Sequence, residues 1–500
     1  MKISSERKIY ILLFIIIVLT AAIYLISFRP GHNWGGDFSE YIAQARSISE
    51  GHDFPGEFTG TYVASSVGPD AYPWGFPLLL SPIYSLFGLN IFAMKVYVSL
   101  FFLFSLPVIF LLFKEKLTSV QALLLVTIFA LNPEFFYFKD KVLSDIPFFF
   151  FSLLSILLIQ EIVINKKIWI NRFVSYSLIG FFIFCSYFIR TQGILLIPTL
   201  LVCQFINNRI FFQQDLISCI RSNKSEFIPY IVFITFVVVI NNVFPKGGNG
   251  YYELLLQNLT IQSVIRNIYY YTVLMSDFFG SRSIAKVLFG ITVPFATLGI
   301  IKNAKEDYLY LIYVFFTLLL LIFWPHQQGL RFIFSMLPFY VYFLFMGLSK
   351  IPTSLFISDK FNPLNWNLVN IASVMLILYS CLYTGAIYDR YHSSVIEGPY
   401  TAESVEMFDY ISTNTSKRDI IAFRKPRVMT LYTDRTSLLS NKFNKFDQII
   451  SSKVNYLVCW EHLPKPLLIT IIKDNEESFE LVFQNNKFKI YKIIRPFSET

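Results

Sequence analysis

The sequence predicts an all-α polytopic membrane protein that ends in a small α/β domain. Of its 500 residues, 55% are hydrophobic and only 15% are charged, and its mean hydropathy is +0.54. A soluble protein carries about 25% charged residues. The apolar residues fall in runs close to the roughly 20 residues that cross a bilayer as a helix. After residue 387 the aromatic density falls, the charge rises and alternating apolar runs appear, which indicates a soluble domain over 388–500.

The apolar runs predict eleven membrane spans within residues 1–387. The first run follows Lys2, Arg7 and Lys8 and has no small-x-small cleavage site after it, so we expect it to remain as a span. The predicted spans are 9–28, 92–113, 119–136, 146–163, 173–189, 194–212, 227–244, 285–301, 308–324, 332–349 and 367–387.

The placement of basic residues predicts which ends of the spans face the cytoplasm. If the N-terminus is cytoplasmic, every inner loop is basic, as the positive-inside rule requires. These residues are Lys114, Lys116, Lys166, Lys167, Arg172, Arg209, Arg221, Lys224, Lys302, Lys305, Lys350 and Lys360. In a bacterium, the chain would then lie in the inner (plasma) membrane with its C-terminal domain in the periplasm.

Three outer segments are long, at 29–91, 245–284 and 388–500. The first contains an amphipathic helical stretch from Asp37 to Gly51 and a short apolar stretch at 78–88, which we expect to lie in the membrane interface. In the third, alternating runs predict strands at Asn455–Cys459, Phe479–Phe483 and Phe488–Ile493.

The candidate acids all lie in predicted outer loops. Asp37 follows two glycines directly after the first span, Glu40 lies three residues later, and Asp145 begins the fourth span. Both aspartates could instead cap the helices that follow them. Asp140 lies between two lysines, which is typical of a solvated cluster of ion pairs.

The candidate cations lie in the same outer loops. Arg190 and Arg331 enter spans, Lys141 precedes Asp145, and His326 lies between spans nine and ten. Arginine and lysine bind phosphate, and a carboxylate can deprotonate an acceptor hydroxyl, so the set suits a polyprenyl-phosphate sugar donor. The arginines could instead be interfacial anchors, and His326 could be a packing residue.

No nucleotide-binding motif is visible, and the five cysteines have no metal-ligand spacing. We therefore assign no metal ligand from spacing. A divalent cation, Mg²⁺ or Mn²⁺, could nevertheless bind at Asp37 with Glu40 or Asp145. The expected partners are the lipid-linked sugar donor, membrane lipid and an acceptor that is a protein, lipid or glycan, and no nucleic acid is expected.

Several motifs resemble those of the GT-C membrane glycosyltransferases. They are the Gly-Asp-x-x-x-Tyr that opens the first outer loop, "YPWGFPLLL" before span two, "SD-IPFFFF" at span four, "GLRFIFSMLPFY" at a late span and "RKPRVMTLY" after the last span. The chain is most similar to glycosyltransferase family 39, the protein mannosyltransferases, and to the aminoarabinose transferases of lipid A. The resemblance implies a GT-C fold and inverting transfer of a sugar from a polyprenyl phosphate in the cell envelope.

Carried over by residue, the resemblance implies that Asp37 is the essential first-loop acid and that Asp145 is the acid of the second outer loop. It makes Arg331 the basic residue at the late span. Two other functions remain open, a lipid-linked sugar transporter (flippase) and a polysaccharide polymerase or ligase. The transporter would need polar groups at mid-membrane, and the polymerase would centre on a large late loop.

Overall fold

The computed structural model describes residues 5–51, 72–208, 224–244, 260–280, 283–324, 327, 329–352, 367–391, 394–461 and 466–494. His326 lies outside these residues. Most of the described chain is helical, and the strands are confined to the C-terminal part.

The membrane part contains fifteen described α-helices up to Tyr391, joined in several places to short 3₁₀ or π turns. In chain order they are α1 (Ser5–Ser27), α2 (Gly36–Glu50), α3 (Gly75–Phe87), α4 (Ile91–Phe113), α5 (Ser119–Ala130), α6 (Pro133–Phe138), α7 (Asp145–Leu158), α8 (Arg172–Ile189), α9 (Leu196–Ile206), α10 (Ile228–Val243), α11 (Ile261–Leu274), α12 (Ser283–Asn303), α13 (Tyr308–Phe323), α14 (Leu337–Leu348) and α15 (Leu368–Tyr391).

Each of the eleven predicted spans coincides with a helix. Among the described residues, eight helices are long and apolar enough to cross a membrane, counting α7 with its π continuation to Ile164 and α14 with the 3₁₀ turn that begins at Leu330. The predicted spans at 119–136, 194–212 and 308–324 correspond to shorter apolar helices, α5, Thr191–Ile206 and α13. The chain is therefore a multi-pass membrane protein.

Helices α2 and α3 form the first long segment. The predicted amphipathic stretch is α2, whose buried face includes Phe38, Tyr41 and Ile42. The predicted interfacial stretch is α3, a 13-residue helix packed against α2.

Helices α12 and α14 pack closely because each contributes a glycine to the contact. A Cβ atom on Gly299 would overlap the carbonyl oxygen of Phe343, and one on Gly347 would overlap that of Phe295. Small residues that let two backbones approach are the usual means of helix association in a membrane.

The predicted basic inner loops meet at one end of the helix bundle. Lys116 pairs with Asp307, and Lys167 lies 2.6 Å from Glu115 and 3.0 Å from Glu161. The last turns of α1 and α15 lie at the opposite end of the bundle, next to the C-terminal part. This end of the bundle is called the domain face below.

The C-terminal part is a five-stranded mixed sheet with helices. Its elements are α16 (Ala402–Asn414), β1 (Ile420–Phe423), α17 (Pro426–Thr433), β2 (Thr436–Leu439), α18 (Phe446–Ser451), β3 (Tyr456–Trp460), α19 (Pro466–Asp474), β4 (Phe479–Gln484) and β5 (Phe488–Ile493). The strand order is β2-β1-β3-β5-β4, with β1 parallel to β2 and β3, and β5 antiparallel to β3 and β4. The three predicted strands are β3, β4 and β5.

The segment that links α1 to α2 is held by this C-terminal part. Trp34 lies within 6.2 Å, ring to ring, of Phe408, Phe423, Trp460 and Phe488. The amide of Ile396 also donates to the carbonyl of Pro30 at 3.0 Å. The backbone just before Asp37 is therefore fixed between two parts of the fold.

Candidate active site

Two helix N-termini at the domain face bring the two predicted aspartates together. Asp37 lies in the first turn of α2 and Asp145 is the first residue of α7. The N-cap positions are Gly35 and Ser144, so neither aspartate is the cap itself. Each carboxylate instead lies where the helix dipole favours a negative charge.

Arg331 bridges the two carboxylates. Its guanidinium nitrogen lies 3.1 Å from Asp37 Oδ2 and 3.8 Å from Asp145 Oδ2. Arg190 pairs with the other oxygen of Asp145 at 2.6 Å. Two carboxylates and two arginines thus alternate in one charge-balanced cluster at the domain face.

The two aspartates differ in access to solvent. The side chain of Asp37 is 33% exposed, whereas that of Asp145 is 1% exposed. Asp37 is thus the carboxylate that a substrate can reach, and Asp145 orients the arginines from behind.

Asp37 is held in its ionised form. Burial opposes ionisation, but the charge of Arg331, together with hydrogen bonds from Tyr72 and Arg331, outweighs it and lowers the pKa of Asp37. The Tyr72 hydroxyl donates to Asp37 Oδ1 at 2.8 Å. Burial and the charge of Asp37 raise the pKa of Tyr72, so its proton stays available for this bond.

An aromatic and polar layer supports the two arginines. The ring of Phe332 lies 4.4 Å from the Arg190 guanidinium carbon and 5.4 Å from that of Arg331. Gln192 donates to the carbonyl of Phe332 at 3.2 Å, and the hydroxyls of Tyr41 and Ser144 lie 2.9 Å apart beside Arg190. These contacts fix the guanidinium planes and limit their rotation.

The structure corrects the expected position of Glu40. The sequence places Glu40 among the candidate acids of the site, but its side chain is fully buried and lies 3.4 Å from Arg427 Nε. Arg427 belongs to α17 and also donates to the Tyr72 hydroxyl at 3.3 Å. Glu40 thus pairs with the C-terminal domain and joins that domain to α2.

Asp140 is also placed differently from the expectation of a solvated cluster. It is buried, and its oxygens accept from the backbone of Arg29 at 3.0 Å, from Lys139 at 2.6 Å and from Lys95 at 3.4 Å. The sequence pattern missed Lys95 because it lies 45 residues earlier, in α4. Lys141 does not contact the carboxylate–arginine cluster directly and lines a neighbouring cavity.

The residues present do not match a divalent cation. No group of three histidine, cysteine, aspartate or glutamate side chains that could hold a metal ion occurs among the described residues. Arg331 lies between Asp37 and Asp145 and supplies the positive charge that Mg²⁺ or Mn²⁺ would provide.

Two residues of the site were not identified from sequence as functional. Tyr72 lies in the "YPWGFPLLL" motif and Arg427 in the "RKPRVMTLY" motif. Both motifs are part of the family resemblance, but the resemblance assigns no role to these two side chains. A neutral tyrosine and an arginine in the distant C-terminal domain show no spacing relation to Asp37 in the sequence.

The fold is similar to that of solved membrane transferases. ArnT from Cupriavidus metallidurans in the apo state gives a TM-score of 0.61 at 11% identity, covering 98% of this chain and 98% of that chain. ArnT bound to undecaprenyl phosphate gives 0.61 at 11% identity, covering 96% and 97%.

The archaeal oligosaccharyltransferase AglB from Archaeoglobus fulgidus, in complex with an inhibitory peptide and a dolichol-phosphate, gives a TM-score of 0.57 at 12% identity, covering 91% of this chain and 70% of that chain. No protein-family model matches the sequence, and no curated protein sequence does. The predicted architecture is confirmed, and the chain has the GT-C fold of membrane glycosyltransferases.

Proposed function

We propose that this protein is an inverting glycosyltransferase that moves a sugar from a polyprenyl-phosphate donor to an acceptor hydroxyl. The observation that carries the proposal is the partly exposed Asp37 carboxylate, held between Arg331 and Tyr72 at the domain face. The fold likeness to ArnT and AglB supports the donor class, since those structures hold undecaprenyl phosphate and a dolichol-phosphate.

In this reaction the acceptor oxygen attacks the anomeric carbon of the sugar. A bond forms between that oxygen and the anomeric carbon, while the bond from the anomeric carbon to the phosphate oxygen breaks. The electron pair leaves with the polyprenyl phosphate, and the hydroxyl proton passes to Asp37. Attack from the side opposite the phosphate inverts the anomeric configuration.

Arg331 links phosphate binding to the basicity of Asp37. In the ion pair, Arg331 lowers the pKa of Asp37 and makes it a weak base. A donor phosphate competes for the same guanidinium, since bidentate arginine–phosphate pairs are strong. When the phosphate draws Arg331 away, the carboxylate regains basicity at the moment when it must accept a proton.

We infer that the reaction takes place on the periplasmic side of a bacterial inner membrane, with the N-terminus in the cytoplasm. The clustering of the basic loops at the end opposite the domain face supports this orientation. The acceptor can be a hydroxyl of a protein, lipid or glycan.

The test is donor consumption by purified protein in liposomes that contain a panel of labelled polyprenyl-phosphate sugars and candidate acceptors. Wild type should consume one donor, and Asp37→Asn should lose this activity by at least about 100-fold, within the usual range for general-base removal. Asp409→Asn, the same chemical change at an exposed position on α16, should match wild type. Movement of the donor across the bilayer without its consumption would refute the transferase and favour a transporter.

A further inference from the structure

A cavity of about 710 Å³, lined in part by Lys141, lies near the carboxylate–arginine cluster. Its walls come from the end of α1, from α6 and the loop to Lys141, and from the last turns of α15. In the apolar 18-residue stretch of each helix, only 17% of α1 and 11% of α15 is buried inside the protein. Both helices therefore border lipid, and the cavity between their ends faces the bilayer surface.

Two of the acids that line this cavity form ion pairs with lysines. Asp140 is paired with Lys139 and Lys95, and Glu397 lies 3.0 Å from Lys487. Glu134, in the first turn of α6, also lines the wall.

Three cations of the cavity have no carboxylate within ion-pair distance among the described residues. Arg29 donates to the carbonyl and hydroxyl of Ser394 at 3.2 and 2.9 Å and lies over the ring of Tyr391. Arg390 lies over the same ring at 5.9 Å. Lys141 is only 7% exposed, and its ammonium lies 4.7 Å from the centre of the Tyr137 ring. A buried ammonium with an aromatic ring as its contact retains donors for an anion.

The combination of cations, tyrosines and a lipid-facing opening suits one chemical group. Phosphate accepts charge-assisted hydrogen bonds from arginine and lysine, and basic pockets between membrane helices bind lipid head groups. We propose that this cavity binds the phosphate group of a lipid that enters from the bilayer between the ends of α1 and α15. Arg29, Lys141 and Arg390 are its ligands, and the rings of Tyr137 and Tyr391 flank it.

This site is separate from the arginines of the active-site cluster. Arg331 and Arg190 lie 3.1 and 2.6 Å from carboxylates, whereas Arg29 and Lys141 have no carboxylate within ion-pair distance among the described residues, and Asp140 acts on Lys141 from farther away. Lys141 is nevertheless close enough to Arg331 for the two positive charges to repel. A phosphate at Lys141 would reduce this repulsion and hold a lipid head group next to Asp37.

The charge of Lys141 depends on its surroundings. Burial lowers the pKa of Lys141 to about 8, the positive charges of Lys95, Arg29 and Arg331 act in the same direction, and Asp140 opposes them. His32 lies nearby and stays neutral, because burial lowers its pKa to about 3. A bound phosphate would favour the ammonium form of Lys141.

Native mass spectrometry of the purified full chain in detergent tests the inference, with undecaprenyl phosphate as the probe. Wild type should bind up to two molecules, one at Arg331 and one in this cavity, and the Kd of the cavity site should rise about tenfold or more in Lys141→Gln and in Arg29→Gln, as expected for loss of one charge-assisted bond. Lys141→Arg should restore binding. Lys286→Gln, which removes an exposed lysine at the start of α12, should bind as wild type does.

Two further probes separate the possible sources of the phosphate. If phosphatidylglycerol binds with the same dependence on Lys141, the site accepts phospholipid head groups as well, which supports the inference. If inorganic phosphate alone displaces the lipid at equal concentration, the site recognises free phosphate and the lipid assignment is overturned. Equal Kd values for wild type, Lys141→Gln and Arg29→Gln would overturn the site itself.

The experiment also distinguishes this inference from the proposed reaction. Asp37→Asn should keep wild-type binding of undecaprenyl phosphate at the cavity site even though it loses transfer. A variant counts as folded if its size-exclusion profile and melting temperature equal those of wild type. Arg390→Gln repeats the binding test at an exposed position at the end of α15, where a substitution affects folding least.

Discussion

Replacing Arg427 tests whether the C-terminal domain holds the active-site loop in place. Arg427 is 5% exposed and lies 3.4 Å from the fully buried Glu40, so Arg427→Met would leave the carboxylate of Glu40 without this positive charge. Removing one partner of a buried ion pair costs about 3–5 kcal/mol. Methionine retains much of the side-chain volume, so the effect reports on charge more than on packing.

The consequence should appear as local opening of α2 and α17. A loss of about 3 kcal/mol corresponds to at least about a 100-fold faster hydrogen exchange, since each 1.4 kcal/mol is a factor of ten. The double variant Arg427→Met/Glu40→Gln removes both buried charges. Its amides in α2 and α17 should therefore exchange more slowly than those of Arg427→Met.

Hydrogen exchange of α2 and α17 in detergent micelles, read by mass spectrometry, measures both effects. Arg418→Met, an exposed arginine in the same domain, is the matched control and should exchange like wild type. Donor consumption by Arg427→Met should fall together with the protection of α2, because Tyr72 also loses its contact with Arg427. Unchanged exchange in Arg427→Met, or a double variant no slower than the single one, would refute this account of the domain contact.

Four further outcomes are expected. Asp145→Asn should lower donor consumption by about tenfold or more at unchanged expression, since Arg190 loses a charge-assisted hydrogen bond at 2.6 Å and Arg331 loses a negative charge at 3.8 Å; full activity would contradict its positioning role. Tyr72→Phe removes a hydrogen bond that lowers the pKa of Asp37, so the acid limb of the pH–rate profile should move to higher pH, whereas an unmoved limb would exclude Asp37 as its source. Lipid binding should weaken as the pH rises above about 8, where Lys141 loses its charge, and the Kd of Lys141→Gln should not follow this change. Gly299→Leu should lower the melting temperature through overlap with α14, by an amount that corresponds to roughly 1–3 kcal/mol or more, and a wild-type melting temperature would refute the close packing.

The sequence located the membrane helices because their signal is local. A run of about 20 apolar residues identifies a span wherever it occurs, and all eleven predicted spans coincide with helices. β3, β4 and β5 were found for the same reason, since each has five or six residues of β-forming pattern. β1 and β2 have four residues each and follow no such pattern, so only the sheet itself reveals them.

The active-site contacts were only partly predictable because they join distant parts of the chain. Asp37, Asp145, Arg190 and Arg331 could be chosen as ionisable residues at the ends of spans, and the structure brings these four together. The buried contact of Glu40 depends on a partner, Arg427, that lies 387 positions later in the chain. No local pattern carries that information.

The charge balance of the cluster explains how two acids can be held together at a membrane surface. Two carboxylates that share one cation-free site would repel, and one would take up a proton. With Arg331 between them and Arg190 behind, Asp37 stays ionised while the cluster has no net charge. A phosphate that binds nearby adds negative charge that the two arginines do not balance. This charge would raise the pKa of Asp37, so Asp37 would be the group that accepts a proton most easily. Lys141 and Arg29, which have no carboxylate within ion-pair distance among the described residues, lie in the adjoining cavity, where they can offset that added charge. In the proposed reaction, this arrangement would keep Asp37 ionised and weakly basic at rest and would make it a stronger base when a phosphate binds, which is the order of events that sugar transfer requires.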